Sequence, residues 1–379
     1  MLNIFSLAQH YALPFILVIS VVVFVHEFGH YWVARRCGIR VMSFSIGFGK
    51  PIFKWTDSHG TQWQIAWLPL GGYVKMFGDA DPSSARPDET VKEMTEEEKK
   101  VAFFHQNVNK RIAVVFAGPA FNYIFAVLVL AVLFIFQGQP FSPPMVGSVQ
   151  ENGVAAHAGL QAGDKVVSID GETVSRFEDI KRIVALSEGA PLQFVIERNG
   201  ADQTFSLTPE VSVQTDRIGG EHKMGKIGIV SDKLDYKKWP PLKAVKQAAI
   251  ETYELSASTL KAIGQMIIGT RGSEEIGGPL RIAEMSGHVA QDGAWALIWF
   301  MGIISINLGL INLFPVPLLD GGHLVFYIYE KAFGKPMHEK VQEMGMRAGL
   351  ALVVSLMVFA TWNDLVHLEV ISKIRALFS

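Results

Sequence analysis

The feature that most constrains this chain is an apolar run over residues 12–34 whose single acidic or basic side chain, apart from histidine, is Glu27. As a helix the run would reach roughly 34 Å, which is enough to cross the hydrocarbon of a bilayer. Residues 112–136 and 295–314 form two further runs without any Asp, Glu, Lys or Arg, and a weaker fourth run covers residues 348–362. The first run is too long for a cleaved signal peptide and has no cation before it. We therefore expect four retained transmembrane helices.

Composition excludes several other classes of protein. The chain has 379 residues, of which 49% are hydrophobic and 18% charged, which is too apolar for a disordered segment. The formal net charge is −2, so there is no excess of cations to hold a phosphate backbone, and nucleic acid is not an expected partner. The single cysteine, Cys37, permits neither an intramolecular disulfide nor a cysteine-based zinc cluster.

Lysine and arginine predict the direction of the four runs, because cytoplasmic loops carry an excess of both. Neither residue occurs in 1–34, 112–164 or 282–330. They cluster after the first run, directly before the second, and between the third and fourth, at Arg35, Arg36, Arg40, Lys110, Arg111, Lys331, Lys335, Lys340 and Arg347. We therefore expect the N-terminus outside, residues 35–111 inside, 137–294 outside, 315–347 inside and the C-terminus outside.

Residues 144–212, in the predicted outer loop, indicate a small β-rich domain. Segments 145–151, 165–170, 191–197 and 204–207 are strand candidates, residues 177–186 have helical spacing, and Asn199-Gly200 is a strong hairpin turn. The stretch 158–171 resembles a PDZ domain, which adds a peptide strand or a C-terminus to its own edge. A β-domain without a ligand is the alternative. Further on, residues 241–268 predict an amphipathic helix on the outer membrane face.

The predicted inner loop, residues 37–111, has the pattern of a β-hairpin. Residues 43–48 and 62–67 are aromatic and alternating, and they flank a turn sequence at 57–60. The aromatic side chains of this region are typical of an interfacial belt, and they include Trp55, Trp63, Trp67 and Phe77. Residues 81–100 predict a solvated linker with a short helix. We expect a membrane-associated β-hairpin on the cytoplasmic side.

The first run contains the pentapeptide His26-Glu27-Phe28-Gly29-His30. In a helix the two histidines lie one turn apart on one face, so both can bind a single Zn²⁺ at about 2.0–2.1 Å, while Glu27 stays free to act on a water molecule. An acidic group in hydrocarbon is costly unless it is paired or functional, which a purely structural histidine pair does not explain. The motif therefore predicts the zinc centre of a metalloprotease.

A catalytic zinc takes a third protein ligand, and Asp320 is the best candidate. Pro315 and Pro317 precede it and break the third helix, while Gly321 and Gly322 follow it and allow another backbone to come close. In the predicted topology the first and third runs both point inward, so the histidine motif and Asp320 reach the same end of the bundle. His323 is the alternative third ligand.

Together these motifs resemble the site-2 protease family of intramembrane zinc metalloproteases, and most closely its bacterial RseP-type members, which cleave anti-sigma factors. The similarity spans nearly the whole chain. Besides the histidine motif and residues 312–322, it is carried by residues 277–279 and by Gly118, Pro119 and Asn122 in the second run. Gly118 and Asn122 are expected to give close helix packing rather than direct chemistry. Several family members carry two tandem PDZ domains, whereas this sequence contains one recognisable copy.

The resemblance implies that Asp320 is the third zinc ligand and that Asn312 contacts the substrate near the metal. It also implies that the region around Gly72 and Tyr73 presents an extended substrate strand. The expected setting is the bacterial inner membrane, with the PDZ-like domain periplasmic and the active site near the cytoplasmic side. The expected substrates are single-pass membrane proteins, such as anti-sigma factors, and signal-peptide remnants, cut after a first extracytoplasmic cleavage.

The predicted fold is a multi-pass α-helical membrane protein with a PDZ-like domain and a hairpin region. Its parts are a first transmembrane helix (1–36), the hairpin region and linker (37–111), a second helix (112–137), the PDZ-like domain (144–212), a connector (213–294), a third helix with the Asp320 motif (295–323), a cytoplasmic connection (324–347) and a fourth helix (348–369). Two other functions stay open on sequence alone: a membrane-anchored PDZ scaffold or inactive homologue with a structural metal, and a metal-ion transporter. A structural zinc needs a fourth protein ligand, and transport leaves Glu27 and the PDZ-like segment unexplained.

Overall fold

The computed structural model describes residues 8–79, 94–187, 189–215, 221–269, 272 and 277–367. They form two compact units, a helical one from residues 8–131, 245–259 and 277–367 and a β-rich one from residues 132–244 and 260–272. The helices are α1 (Leu13–Arg36), α2 (Glu96–Val101), α3 (Val108–Phe136), α4 (Val154–His157), α5 (Phe177–Leu186), α6 (Pro241–Ile268), α7 (Pro279–Gln291), α8 (Ala294–Asn312), α9 (Asp320–Phe333) and α10 (Glu339–His367). The strands are β1 (Val41–Thr56), β2 (Gln62–Met76), β3 (Gln139–Phe141), β4 (Ser148–Val149), β5 (Lys165–Ile169), β6 (Glu172–Thr173), β7 (Leu192–Arg198), β8 (Ala201–Leu207), β9 (Glu210–Thr215), β10 (Glu221–Lys226), β11 (Ile229–Val230) and β12 (Asp235–Lys237).

Four of the described helices are long and apolar enough to cross a membrane: α1, α3, α8 and α10. They correspond to the four predicted runs, and α10 begins nine residues before the apolar run does. Pro14 stands in the first turn of α1, where its missing N–H costs no helix hydrogen bond. Arg35 and Arg36 stand in its last turn, where cations favour the negative end of the helix dipole.

The predicted hairpin is present as the antiparallel pair β1 and β2. Its turn is organised by Asp57, which accepts hydrogen bonds from the backbone N–H groups of His59 and Thr61, from Trp63 Nε1 and from Tyr31 Oη. Partial burial opposes ionisation of this carboxyl group, but the donors outweigh it and hold the pKa of Asp57 at about 2. The turn is therefore fixed by one ionised side chain.

The two halves of β2 pair with the same part of β1. Residues 43–46 lie opposite residues 62–65 on one side and opposite residues 72–75 on the other, so residues 72–76 form an outer edge of this small sheet. Phe44 is buried, and Trp63 stacks on it with ring centroids 4.3 Å apart. In residues 48–55 and 65–68 the large apolar side chains are exposed, Trp55 and Trp67 among them. The sheet therefore has one buried part around Phe44 and one apolar, exposed part around residues 48–55 and 65–68.

One core joins the hairpin to the helices. It contains buried apolar side chains from α1, β1, β2, α3, α9 and two connecting segments, namely Ala34, Ile39, Val41, Phe44, Val74, Met76, Phe103, Val114, Val115 and Tyr327. Arg111 of α3 pairs with Glu330 of α9, and its guanidinium lies 4.8 Å from the centre of the Tyr327 ring. These contacts fix α9, which begins at Asp320, against α3.

The helix over residues 241–268 is present as α6, and its middle belongs to the helical unit. The Tyr123 hydroxyl of α3 lies 3.2 Å from the Ser256 hydroxyl, and Thr259 donates to Asn307 of α8 at 3.2 Å. We predicted this helix on the outer membrane face, and these contacts show that its middle packs against two spanning helices. The short helix predicted in residues 81–100 is α2, and Thr95 and Glu98 form a capping box at its N-terminus. Residues 80–93 lie outside the described residues.

The β-rich unit contains a four-stranded sheet in the order β6-β5-β7-β8, with α5 packed on it. The predicted strands 165–170, 191–197 and 204–207 and the helix 177–186 agree with β5, β7, β8 and α5. Asn199 and Gly200 have φ of 54° and 79°, as a type I′ hairpin turn requires. The prediction for 145–151 was too long, because only Ser148 and Val149 form a strand there. That strand pairs with β11.

An ion pair in the β-rich unit joins Asp164, directly before β5, to Arg198 at the end of β7. Asp164 is 2% exposed, and its two carboxylate oxygens accept hydrogen bonds from the Arg198 guanidinium, both at 2.7 Å. Burial opposes ionisation of Asp164, but the hydrogen bonds from Arg198 and from the Gln161 N–H lower its pKa below the usual value. The contacts therefore favour the charged form of Asp164 in the folded unit.

Candidate metal centre and active-site cavity

The two histidines of the sequence motif lie side by side on one face of α1. His26 and His30 are 7% and 8% exposed, and their Nε2 atoms are 3.2 Å apart. Gly29 lies between them on the helix surface, and a Cβ at this position would come within 2.9 Å of Phe121 Cβ. The glycine therefore allows α3 to pack directly on the histidine face of α1.

Asp320 reaches this face from a loop that follows α8. The helix ends at Asn312, Pro315 and Pro317 occupy the loop, and Asp320 is the first residue of α9. A Cβ on Gly322 would lie 2.5 Å from Pro317 Cα, and one on Gly321 would meet the carbonyl groups of residues 313 and 314. The two glycines thus let the loop fold onto the first turn of α9, where the helix dipole favours a carboxylate.

The three side chains form a compact cluster of ligand atoms. Asp320 Oδ2 is 3.1 Å from His26 Nε2 and 3.5 Å from His30 Nε2. Bonds of about 2.0–2.2 Å to a tetrahedral Zn²⁺ place neighbouring ligand atoms about 3.3–3.5 Å apart. The three measured separations match that spacing, and the set of two imidazoles and one carboxylate is a zinc donor set. The residues present therefore fit a catalytic zinc ion, which takes three protein ligands.

The outer sides of the rings are also held by α3. His30 Nδ1 lies 2.9 Å from the carbonyl oxygen of Val114, and His26 Nδ1 lies 3.2 Å from Asn122 Nδ2. Gly118 stands between these two contacts on α3. A Cβ there would run into the His30 ring and lie 2.9 Å from His26 Cε1. Gly118 is therefore glycine because the imidazole rings occupy the space beside it.

The cluster opens into a cavity of about 620 Å³. The other residues predicted for the site line the same cavity: Glu27, Gly72, Tyr73 and Asn312. Gly72 lies directly against the acidic residue, since a Cβ on it would be 3.1 Å from Glu27 Cγ. The structure therefore gathers residues from α1, β2, α8 and α9 around one space.

His323, the alternative third ligand, lines the cavity but is not part of the ligand cluster found among the described residues. Sequence reasoning missed several apolar wall residues, including Phe103, Leu308 and Leu318, because nothing local distinguishes them from ordinary core positions. Leu318 has φ of 101°, a conformation that costs about 1–3 kcal/mol for a non-glycine residue. This strained residue lies two positions before Asp320 and helps to turn the chain toward the histidines.

Comparison with known proteins agrees with this site. The sequence profile described as Peptidase family M50 matches residues 14–356. A protein of Agrobacterium fabrum named "Putative zinc metalloprotease Atu1380" is 43% identical over 359 residues, which cover 94% of this chain and 95% of that protein. Metalloprotease MmpA of Caulobacter vibrioides is 34% identical over 385 residues, which cover 96% of this chain and 97% of that protein.

The β-rich unit gives a much weaker likeness. A solved PDZ domain of an SdrC-like protein from Listeria innocua is 22% identical, covers 24% of this chain and 94% of its own, and has a TM-score of 0.19, which is too low to assign the fold of the unit. The family assignment therefore depends on the profile and the full-length relatives. The chain belongs to Peptidase family M50, the site-2 protease family, and is a zinc metalloprotease integral to a bacterial membrane.

Proposed function

We propose that this protein is an intramembrane endopeptidase of the site-2 protease type, which cuts the transmembrane segments of single-pass membrane proteins. The observation that carries the proposal is the cluster of His26, His30 and Asp320 beside Glu27, in a cavity walled by helices of membrane-spanning length. Lipid provides no water and no partner for a freed backbone group, so hydrolysis there needs an enclosed polar space. The cavity provides this space.

His26 Nε2, His30 Nε2 and Asp320 Oδ2 would hold the zinc ion. When bound, zinc supplies a Lewis acid that polarises the scissile carbonyl group and lowers the pKa of a water molecule. The Glu27 carboxylate accepts the proton that this water loses and passes it to the nitrogen of the leaving amine. Glu27 can serve both steps because it lines the cavity beside the ligands without being one of them.

The edge of the hairpin sheet is the proposed docking line for the substrate. Residues 72–76 pair with β1 on one side, and Gly72 passes alongside Glu27. An extended peptide can add to such an edge through main-chain hydrogen bonds, which would also keep the substrate segment out of its helical form. Asn312 lines the same cavity, and its amide can donate to the substrate carbonyl, a role worth about 10²-fold in rate.

We also propose that the active site lies near the cytoplasmic face and that the β-rich unit is periplasmic. The distribution of lysine and arginine supports this orientation, since Arg35 and Arg36 end α1 five and six residues beyond His30. The PDZ-like segment would then meet the outer part of a substrate and bind a peptide or a new C-terminus. Anti-sigma-factor-like proteins and signal-peptide remnants, shortened by a first extracytoplasmic cut, are the proposed substrates.

The test is cleavage by the purified protein in detergent of a panel of tagged single-pass segments, with and without a zinc chelator, with cut positions read by mass spectrometry. Glu27→Gln should keep zinc bound and slow cleavage by at least about 10²-fold, because the base is lost while the ligands stay. Glu178→Gln is the matched control, since it makes the same change at an exposed position of α5. It should leave zinc content and cleavage unchanged.

Three outcomes would contradict the proposal. Cleavage by Glu27→Gln at the normal rate would remove Glu27 as the base. Cleavage that persists after chelation would indicate a different mechanism. Zinc bound in stoichiometric amount with no segment cut would favour a membrane-anchored scaffold with a structural metal.

A further inference from the structure

Asn122 is a fully buried amide that the proposed reaction does not use. It lies on α3 one turn beyond Gly118, and its Nδ2 is 3.2 Å from His26 Nδ1. Its Oδ1 is buried and has no hydrogen-bond partner among the described residues. A buried amide oxygen without a donor is costly, so this position calls for an explanation beyond helix packing.

The chemistry of a metal-binding imidazole supplies one. A neutral histidine carries its proton on one ring nitrogen and binds metal through the other. His26 points Nε2 at the ligand cluster, so a metal-binding His26 must carry its proton on Nδ1. That N–H faces α3 and needs an acceptor there.

His30 shows the same requirement already met. Its Nδ1 lies 2.9 Å from the backbone carbonyl of Val114, which can only accept a hydrogen bond. This contact fixes the proton on Nδ1 and leaves Nε2 free for the metal. Outer partners of this kind orient a ligand and raise its basicity. For His26 the structure offers Asn122 at the equivalent place.

We propose that Asn122 is a positioning residue that holds His26 in its metal-binding form by accepting a hydrogen bond from Nδ1 through Oδ1. Rotating the Asn122 amide by 180° about its Cβ–Cγ bond leaves its shape almost unchanged and exchanges Oδ1 with Nδ2 next to the His26 ring. With Nδ2 toward His26 the amide suits the opposite form of the ring, in which Nε2 donates to Asp320. With Oδ1 toward His26 it suits zinc. This inference rests on the proposed function only in taking His26 as a ligand.

The backbone around Asn122 is placed for this role. Ser305 of α8 donates to its carbonyl oxygen at 3.0 Å, which ties this turn of α3 to the helix that leads to the Asp320 loop. Gly118, four residues earlier, leaves the space that the two rings fill. The same face of α3 therefore shapes the site at Gly118 and orients a ligand at Asn122.

The test compares Asn122→Leu, which has the same branching and number of heavy atoms but no acceptor, with Asn122→Asp, whose carboxylate can accept but not donate. Zinc affinity of each full-length protein in detergent is measured by competition with a chromogenic chelator, and folding by thermal unfolding of the metal-free form. Asn122→Leu should weaken zinc binding by about 10- to 100-fold, the usual effect of losing such a partner. Asn122→Asp should bind zinc as tightly as the unmodified protein or more tightly.

A role in packing alone predicts a different result, namely that both variants lower the thermal stability and leave zinc affinity unchanged. Unchanged affinity in Asn122→Leu would overturn the inference, as would an equal loss in both variants when both are folded. Should Asn122→Leu not fold, Asn122→Ala, which cannot overpack, replaces it with the same expectation. His26→Ala separates the two proposals. If this variant still binds zinc normally, the proposed metal centre itself is wrong. If it loses zinc while Asn122→Leu keeps normal zinc affinity, only the inference about Asn122 is refuted.

Discussion

Replacing Gly118 by alanine tests the metal centre by adding a single methyl group beside it. That methyl would lie 2.9 Å from His26 Cε1 and closer still to the His30 ring. Ordinary van der Waals contact begins near 3.4 Å, so His26 would have to retreat by about 0.5 Å and His30 by more. Metal–ligand distances tolerate only about 0.2 Å. Both rings therefore leave the geometry that fits zinc.

The expected result is a loss of zinc affinity of at least about 100-fold, or about 2.7 kcal/mol, because displacing a ligand costs more than losing one of its outer partners. The assay is chelator competition with zinc content measured by elemental analysis. Gly264→Ala is the matched control, since this glycine of α6 has open space around its missing Cβ and alanine favours a helix by about 0.5–1 kcal/mol. Wild-type zinc affinity in folded Gly118→Ala would refute the placement of the rings against α3.

Two further predictions follow from the ligand set and from the β-rich unit. Asp320→Asn should weaken zinc binding and abolish cleavage, while His323→Asn should keep zinc affinity within a few-fold of that of the unmodified protein. Unchanged zinc affinity in Asp320→Asn would give the third-ligand role to another residue. Because folding lowers the pKa of Asp164, its contribution to stability is complete above its unfolded pKa of about 3.9 and is lost as the pH falls through the lower folded pKa. Asp164→Asn should be less stable than the unmodified protein at pH 7, and circular dichroism from pH 6 to pH 2 should show that it loses less stability on acidification. Identical loss of stability in the two proteins would contradict the ion pair with Arg198.

The interpretation as a metalloprotease came from patterns that local geometry controls. The spacing of His26 and His30 places them on one face of any α-helix, and the length of each apolar run decides that it can span a membrane, whatever surrounds it. The turn at Asn199-Gly200 was equally predictable, because few residue pairs accept positive φ at both positions. The breaks caused by Pro315 and Pro317 follow from the missing backbone donor.

Other parts of the site depend on contacts between distant segments. No local rule shows that residues 72–76 pair on the free side of β1 and run beside Glu27, because strand pairing is settled by which edge the rest of the fold covers. The positive φ of Leu318 is similarly invisible, since leucine avoids that conformation unless tertiary contacts impose it. The strand predicted over 145–151 was too long because its length depends on pairing with the distant strand β11, which the local sequence does not reveal.

Sequence by itself therefore determined the chemistry available to this protein: four apolar spans, two imidazoles and a carboxylate, and a glutamate one residue from a histidine. Only the tertiary structure decided that Asp320 lies 3.1 Å from His26, that Gly118 leaves space for both rings, and that Asn122 faces the back of one of them. The physical reason is the range of the forces involved. Helix formation and turns depend on neighbours within about four residues, whereas a metal site needs atoms nearly 300 positions apart to be held to a few tenths of an ångström by packing.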